Sequence, residues 1–393
     1  MLNFEYALPT RILFGRGMEN RVGEEIRKRN GSKVLLHYGG ESAVKSGLLD
    51  RVCRCLEASG LSYVLAGGVQ PNPRLSKVEE GIRLAKEEKV DFILAVGGGS
   101  VIDSAKGIGY GIANEGDVWD FYSRKRIPEA CAPVGVILTI AASGSETSDG
   151  SVVTNDRNKL KRDVGSDYAR PQFAILNPEL TFSLPEYQTS CGTTDILMHA
   201  MERYFTTVHN VELVDGFLES LMKTVMHNFR IVLEKPGDYD ARAELMLAGS
   251  FCHNGLLTCG RKGDWASHAL EHELGGMYDV AHGAGLAAVW GSWARYVYQT
   301  DVMRFAQFAV NVMGCVMDYA HPEKTALEGI AALERFLAST GMPISVRELG
   351  YKLTDNDIFS LADNCTDHGT KMIGAFRRLD YKDVTNIYKM AAE

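Results

Sequence analysis

A change of periodicity midway along the chain predicts the fold class: a parallel α/β domain over residues 1–183, then an all-helical domain over 184–393. Three observations carry this. In the first half, short β-branched runs alternate with amphipathic helical stretches. One of those runs, Asp91-Phe-Ile-Leu-Ala-Val96, is apolar on both faces, as a strand inside a parallel sheet is. Beyond Ser183 strand signals almost vanish and helical periodicities take over.

In order, Lys33–Tyr38 reads as a strand entering the Gly39-Gly40 turn, with a helix over 44–59 after it. Tyr63–Ala66 is the next strand. Pro71-Asn72-Pro73 then breaks the chain before a helix over 75–88, whose Val78, Ile82 and Ala85 share one side. The strand at 91–96 runs into Gly97-Gly98-Gly99-Ser100 and a further helix, and Val134–Thr139 opens into the small-residue turn Ser143-Gly144-Ser145. Ser183-Leu-Pro-Glu186 has the form of a capping box with proline in the first turn. Helices are expected after it over 186–206, 211–232, 241–258, 264–274, 283–298, 301–318, 324–340 and 375–392. No repeat, low-complexity tract or flexible linker interrupts them.

The composition, 45% hydrophobic and 23% charged over 393 residues, is that of a globular chain with room for two cores. A net charge of −8 offers no basic footprint for nucleic acid. No apolar run reaches the length of a membrane span and the first residues lack the blocks of a secretion signal, so the expected compartment is the cytoplasm. Eight cysteines scattered from 53 to 365 read as free thiols, not as a disulfide framework.

Two constellations carry chemistry. Gly97-Gly98-Gly99-Ser100 lies at the carboxyl end of a buried strand and the start of a helix, where backbone N–H groups and the helix dipole favour an anion such as a pyrophosphate. It is neither G-x-G-x-x-G nor a Walker loop. Asp103, one turn further, can accept a hydrogen bond from a cofactor amide or serve only as a first-turn acid. Asp195/His199 and His268/His272 are both four apart, so on helices each pair projects from one face. Gly275 and Gly276 can end the second helix with a left-handed cap, letting the chain return His282 to the pairs. A mixed carboxylate and imidazole set of this kind suits Fe²⁺ or Zn²⁺ better than Ca²⁺ or Mg²⁺.

These residues resemble the iron-containing (group III) alcohol dehydrogenases. The resemblance rests on Gly-Gly-Gly-Ser-x-x-Asp at 97–103, Thr139-x-x-x-Ser-Gly-Ser-Glu146, Asp195/His199, and the run from Trp265 through His282-Gly283. The opening Pro9-Thr-Arg-Ile-Leu-Phe-Gly-Arg-Gly17 and Gln70-Pro-Asn-Pro73 extend it to nearly the whole chain, and within the family it is similar to the butanol dehydrogenase and broad-range aldehyde reductase branch. The resemblance implies a Rossmann-like nucleotide-binding domain, a helical metal-binding domain in a dehydroquinate synthase-like architecture, a catalytic cleft between them, and a homodimer formed through strands near residues 1 to 15. By position it makes Asp195, His199, His268 and His282 the metal ligands and His272 a cleft histidine that is not a ligand. It places Gly39, Ser42, Asn72, Gly97, Gly98, Gly99, Ser100, Asp103, Thr139, Ser143 and Lys161 at the NAD(P) site. One departure bears on the coenzyme. Glu41 stands where the branch has glycine in Tyr-Gly-Gly-Gly-Ser, and its carboxylate repels a 2′-phosphate and accepts from a free ribose diol.

The expected reaction is hydride transfer between NAD(P) and a small alcohol or aldehyde such as butanol or butanal, with Fe²⁺, or Zn²⁺ in its place, polarising the substrate oxygen. His272 is the candidate proton relay, against a purely orienting role. A rival from another class is a zinc hydrolase using His268-Ala-Leu-Glu271-His272, with both histidines as ligands and Glu271 as general base. It leaves Asp195, His199, His282 and the glycine turn without a task.

Overall fold

The alternation of the first half resolves into a parallel sheet. The computed structural model describes residues 1–393. Its strands are β1 (Arg11–Phe14), β2 (Lys33–Tyr38), β3 (Ser62–Ala66), β4 (Phe92–Gly97), β5 (Val134–Leu138), β6 (Gly150–Asn155), β7 (Leu160–Gly165) and β8 (Phe173–Leu176). Six of them form one sheet in the order β1-β8-β5-β4-β2-β3, every neighbouring pair parallel, while β6 and β7 form a separate antiparallel hairpin. β4 is buried throughout: Ile93 and Ala95 enter one core, Phe92, Leu94 and Val96 the other. That is why its sequence shows no alternation. The sequence reading did not anticipate β6, β7 or β8.

Helices α1 (Val22–Arg27), α2 (Ser42–Lys45), α3 (Leu48–Ala58), α4 (Leu75–Glu87), α5 (Gly99–Ala113) and α6 (Trp119–Tyr122) belong with this sheet. The expected helix over 44–59 is two, because Gly47 adopts φ 68° and restarts the chain. The second half contains α7 (Glu186–Tyr204), α8 (Glu212–Glu234), α9 (Tyr239–Cys252), α10 (Ala266–Tyr278), α11 (His282–Val297), α12 (Val302–Asn311), α13 (Pro322–Ser339), α14 (Asp355–Cys365) and α15 (Tyr381–Ala391).

Packing divides the chain into two units, Ala7–Leu184 with Gly237–Asn254, and Met1–Tyr6 with Pro185–Pro236 and Gly255–Glu393. This division is not the simple split at 183/184 expected from the sequence: Met1–Tyr6 goes with the helical unit, and α9 packs with the sheet. Its Ser250 hydroxyl donates to the Glu146 carboxylate at 2.5 Å, and the Ser250 carbonyl accepts from the Thr147 hydroxyl at 2.8 Å. In the helical unit α11 is buried on nearly every side and packs against α7, α10, α13 and α15. A helix apolar all round belongs at the centre of a bundle.

Three local expectations fail. Pro185, not Ser183, is the N-cap of α7, and no side chain caps it. Gly275 and Gly276 do not end α10: both are buried within it, and the left-handed cap is Asp279 at φ 57°. Of the helix expected over 301–318 only Val302–Asn311 forms, and α14 was not foreseen.

Candidate metal centre and nucleotide turn

The register of the sheet lines up the turns that follow its central strands. Tyr38 pairs with Val96, and Gly97 with Leu138, so Gly39, Gly98–Ser100 and Thr139 leave the same edge of adjacent strands. The open-sheet rule puts a ligand there. Gly98 and Gly99 are required by close approach. A Cβ on Gly98 would lie 2.1 Å from Ile140 Cγ2, and one on Gly99 2.6 Å from the Ser143 hydroxyl. Ser100 is half-buried in the first turn of α5, Ser42 is exposed at the start of α2, and Asn72, at φ 52°, is buried in the turn before α4. Lys161 is buried in β7, paired in register with Thr154.

Asp103 is already engaged: its carboxylate accepts from the Ser145 hydroxyl at 2.5 Å and from the Val152 N–H at 3.1 Å. It frames the second turn. The sequence reading missed its partner, Lys106, one turn along α5. This fully buried ammonium donates to the carbonyls of Ser145, Ser148 and Gly150 at 2.7–3.0 Å and lies 3.0 and 3.3 Å from the Ser145 and Ser148 hydroxyls. Burial pulls its pKa down to about 8, against the pull of Asp103, Asp149 and Glu146. Ser143 is fixed from the other side, its carbonyl accepting from His253 Nδ1 at 2.8 Å.

In the helical unit, Asp195 on α7, His268 on α10 and His282 at the start of α11 bring one donor atom each within 4.8 Å of one another. The helices are set by a close approach at Gly283, where a Cβ would stand 2.0 Å from the Cys191 carbonyl oxygen. Cys191 is one turn before Asp195, so the contact carries His282 Nε2 to 3.7 Å from Asp195 Oδ1. His199 stands against this trio, not within it. Its Nδ1 is 2.9 Å from both the carbonyl and Oδ1 of Asp195, and its ring lies 4.4 Å from that of His268.

Two carboxylates hold the imidazoles. Glu202 Oε1 accepts from His268 Nδ1 at 2.7 Å, from the His268 N–H at 3.0 Å and from the Ser267 hydroxyl at 2.6 Å. Glu271 accepts from His282 Nδ1. In each ring the Nδ1 proton is committed, which leaves the Nε2 lone pair for a metal. His268 Nε2 is buried without a hydrogen-bond partner, a state a ligating nitrogen explains. Burial, helped by neighbouring His199, lowers the His268 pKa to about 4, so the ring is neutral. Burial works against charge on Asp195, yet the facing His199 and His282 imidazoles hold its carboxyl far below the usual range. A neutral-nitrogen and carboxylate donor set of this kind fits Fe²⁺ or Zn²⁺.

His272 lies outside the trio, its ring 5.9 Å from that of His282. It does group with Glu271 and His282, but the hydrolase reading requires His268 and His272 as joint ligands with a free Glu271, and the geometry supplies neither. Glu202 is three residues after His199 and seven after Asp195, so the helical face that exposed the ligands also carried this supporting acid.

Comparison with known proteins places this architecture. Residues 9–178 match the family described as iron-containing alcohol dehydrogenase, and residues 189–392 match the C-terminal region of the Fe-containing alcohol dehydrogenase family. NADH-dependent butanol dehydrogenase A of Clostridium acetobutylicum is 37% identical over 390 residues, 99% of each chain. The NADPH-dependent aldehyde reductase YqhD of Escherichia coli is 33% identical, covering 100% of both. The crystal structure of NADH-dependent butanol dehydrogenase A from Thermotoga maritima superposes with a TM-score of 0.96 at 39% identity, over 100% of this chain and 99% of that one.

Proposed function

This chain belongs to the iron-containing alcohol dehydrogenase family of oxidoreductases, and we propose that it interconverts small aldehydes and primary alcohols, butanal and butanol among them, by hydride transfer with NADH. The observation that carries the reading is the trio of Asp195, His268 and His282, with the Nδ1 atoms of both histidines committed to carboxylates. Fe²⁺ held by these residues, with His199 as fourth ligand and Zn²⁺ as the alternative ion, supplies Lewis acidity toward the substrate oxygen. The chain's own residues do the rest. Glu202 and Glu271 keep the two imidazoles in the ligating tautomer. The turn at Gly97, Gly98, Gly99 and Ser100 takes the coenzyme pyrophosphate, with Gly39, Ser42, Asn72, Thr139, Ser143 and Lys161 around it. His272, one turn along α10 from His268, relays the alcohol proton.

NADH is favoured over NADPH on the strength of Glu41, an exposed carboxylate paired with Lys45 in the turn after β2. A homodimer is supported by β1, an edge strand of the sheet, and by Met1, Leu2, Phe4 and Tyr6, apolar side chains exposed ahead of it. No helix is long and apolar enough to cross a membrane. The eight cysteines, all free thiols, suit the cytoplasm.

The test is oxidation of NADH and of NADPH by butanal with protein purified without oxygen and reloaded with Fe²⁺, with and without a chelator. Chelator-sensitive turnover that prefers NADH is expected. Full iron occupancy with no turnover of several short aldehydes on either coenzyme sinks the proposal.

A further inference from the structure

Trp265 is held in a conformation its side chain does not favour. It is the N-cap of α10 at φ 66° and ψ 11°, the left-handed region, which bulky residues rarely occupy unless their surroundings over-determine them. Glycine or asparagine there would start the helix without strain. The surroundings are specific. The Trp265 N–H donates to Glu202 Oε2, the second oxygen of the carboxylate whose first oxygen holds His268. The Arg203 guanidinium, fixed by its bond to the His199 carbonyl at 2.6 Å, stacks 4.7 Å from the indole. The ring meets His268 and His199 edge-on, with centroids 5.2 and 5.9 Å away. Gly263 leaves room for it, since a Cβ there would come 2.9 Å from the indole Nε1. In spite of this support the residue stays 37% exposed.

A single carboxylate therefore ties a flat apolar surface to the imidazole cluster. A residue needed only to cap a helix or fill a core would be neither strained nor open. We propose that Trp265 is a specificity-determining residue: its open indole surface is the wall along which the carbon chain next to the reacting carbonyl lies, favouring unbranched aliphatic aldehydes and rejecting those branched at the adjacent carbon. This rests on the aldehyde reductase reading above.

The test compares wild type with Trp265→Ala, Trp265→Phe and Trp265→Gly, each iron-loaded. Two readouts are taken: kcat/KM for butanal against 2-methylpropanal, and dissociation constants of the non-reducible analogues butyramide and 2-methylpropanamide by calorimetry. The Gly variant relieves the left-handed strain and keeps the backbone N–H for Glu202, so it guards against a folding defect. Pocket contacts with one methyl group discriminate by roughly 10-fold or more. The butanal preference should therefore fall about tenfold in the Ala and Gly variants and largely return in Phe. The two amides should lose their difference in affinity in parallel, with iron content unchanged. An unchanged butanal preference in both Ala and Gly, at full iron occupancy, overturns the proposal. If wild type turns over neither aldehyde, the reductase reading fails by itself. The wall is then decided by the amides: equal affinities in wild type overturn it, and a preference for butyramide that the Gly variant abolishes supports it.

Discussion

Gly283→Ala probes how the metal centre is assembled. The added Cβ would meet the Cys191 carbonyl oxygen at 2.0 Å, its carbonyl carbon at 2.7 Å and its Cα at 2.9 Å, all backbone atoms of the neighbouring α7. None can rotate away. For the nearest contact to reach 3.4 Å, the start of α11 must retreat from α7 by about 1 Å or more. Overpacking of this kind costs about 1–3 kcal/mol, or a drop of about 1–4 °C in Tm for a chain of this size. The larger consequence is local. The retreat carries His282 away from Asp195, and metal sites tolerate displacements of only about 0.2 Å. Iron affinity measured by chelator competition should fall at least tenfold, more than the loss of stability accounts for. Gly291→Ala on the same helix is the control: its Cβ would meet the Glu334 carboxylate, a side chain held by Arg295 and not the backbone of α7, so overpacking there leaves the approach of His282 to Asp195 alone. If Gly283→Ala binds iron within twofold of wild type at an unchanged Tm, the close approach does not set the site.

Further outcomes follow from other contacts. Glu202→Gln and Glu271→Gln should each weaken iron binding by about 10–100-fold, read by chelator competition on folded protein, because each exchanges a carboxylate for a neutral amide whose single oxygen is a weaker acceptor for the imidazole Nδ1 proton. His37, fully buried in β2 and bonded to the Ser104 hydroxyl, has its pKa lowered from 6.5 to about 4, chiefly by burial and then by Lys77. The unfolded chain thus takes up a proton the folded one refuses. Stability is fully present above pH 6.5 and falls as the pH drops toward 4, by up to about 3 kcal/mol. His37→Phe should flatten that slope in a series of melting curves. Glu41→Lys should raise kcat/KM for NADPH roughly tenfold relative to NADH, by exchanging repulsion of the 2′-phosphate for attraction; an unchanged ratio would clear Glu41 of any part in coenzyme choice.

What the sequence reveals here is what repeats locally. The two four-residue spacings bring Asp195 and His199 to one face of α7 and His268 and His272 to one face of α10, and the glycine turn after a doubly apolar strand is the proposed phosphate site. What it hides depends on distant partners. Glu202 looks like any acid near a helix end until Trp265, Ser267 and His268, more than sixty residues later, fold against it. α9 reads as one more helix of the second half, and it takes the bonds of Ser250 with Glu146 and Thr147 to show that it packs with the sheet. The Gly275-Gly276 pair misleads for the opposite reason: a strong local stop signal is overridden because both glycines are buried where α10 packs against its neighbours.

The buried ammonium of Lys106 has a consequence for how the coenzyme is met. With five oxygens of the 145–150 segment gathered on one amine, that turn owes its shape to a lysine beneath it and not to whatever sits above. Ordering entropy that a loose loop would lose on association is lost here when the chain folds. If the dinucleotide docks beside this turn, as proposed above, its arrival need not wait for the segment to close. Glu41, on the turn after β2, makes none of these five contacts, so a change of charge there leaves the lysine-held segment as it is.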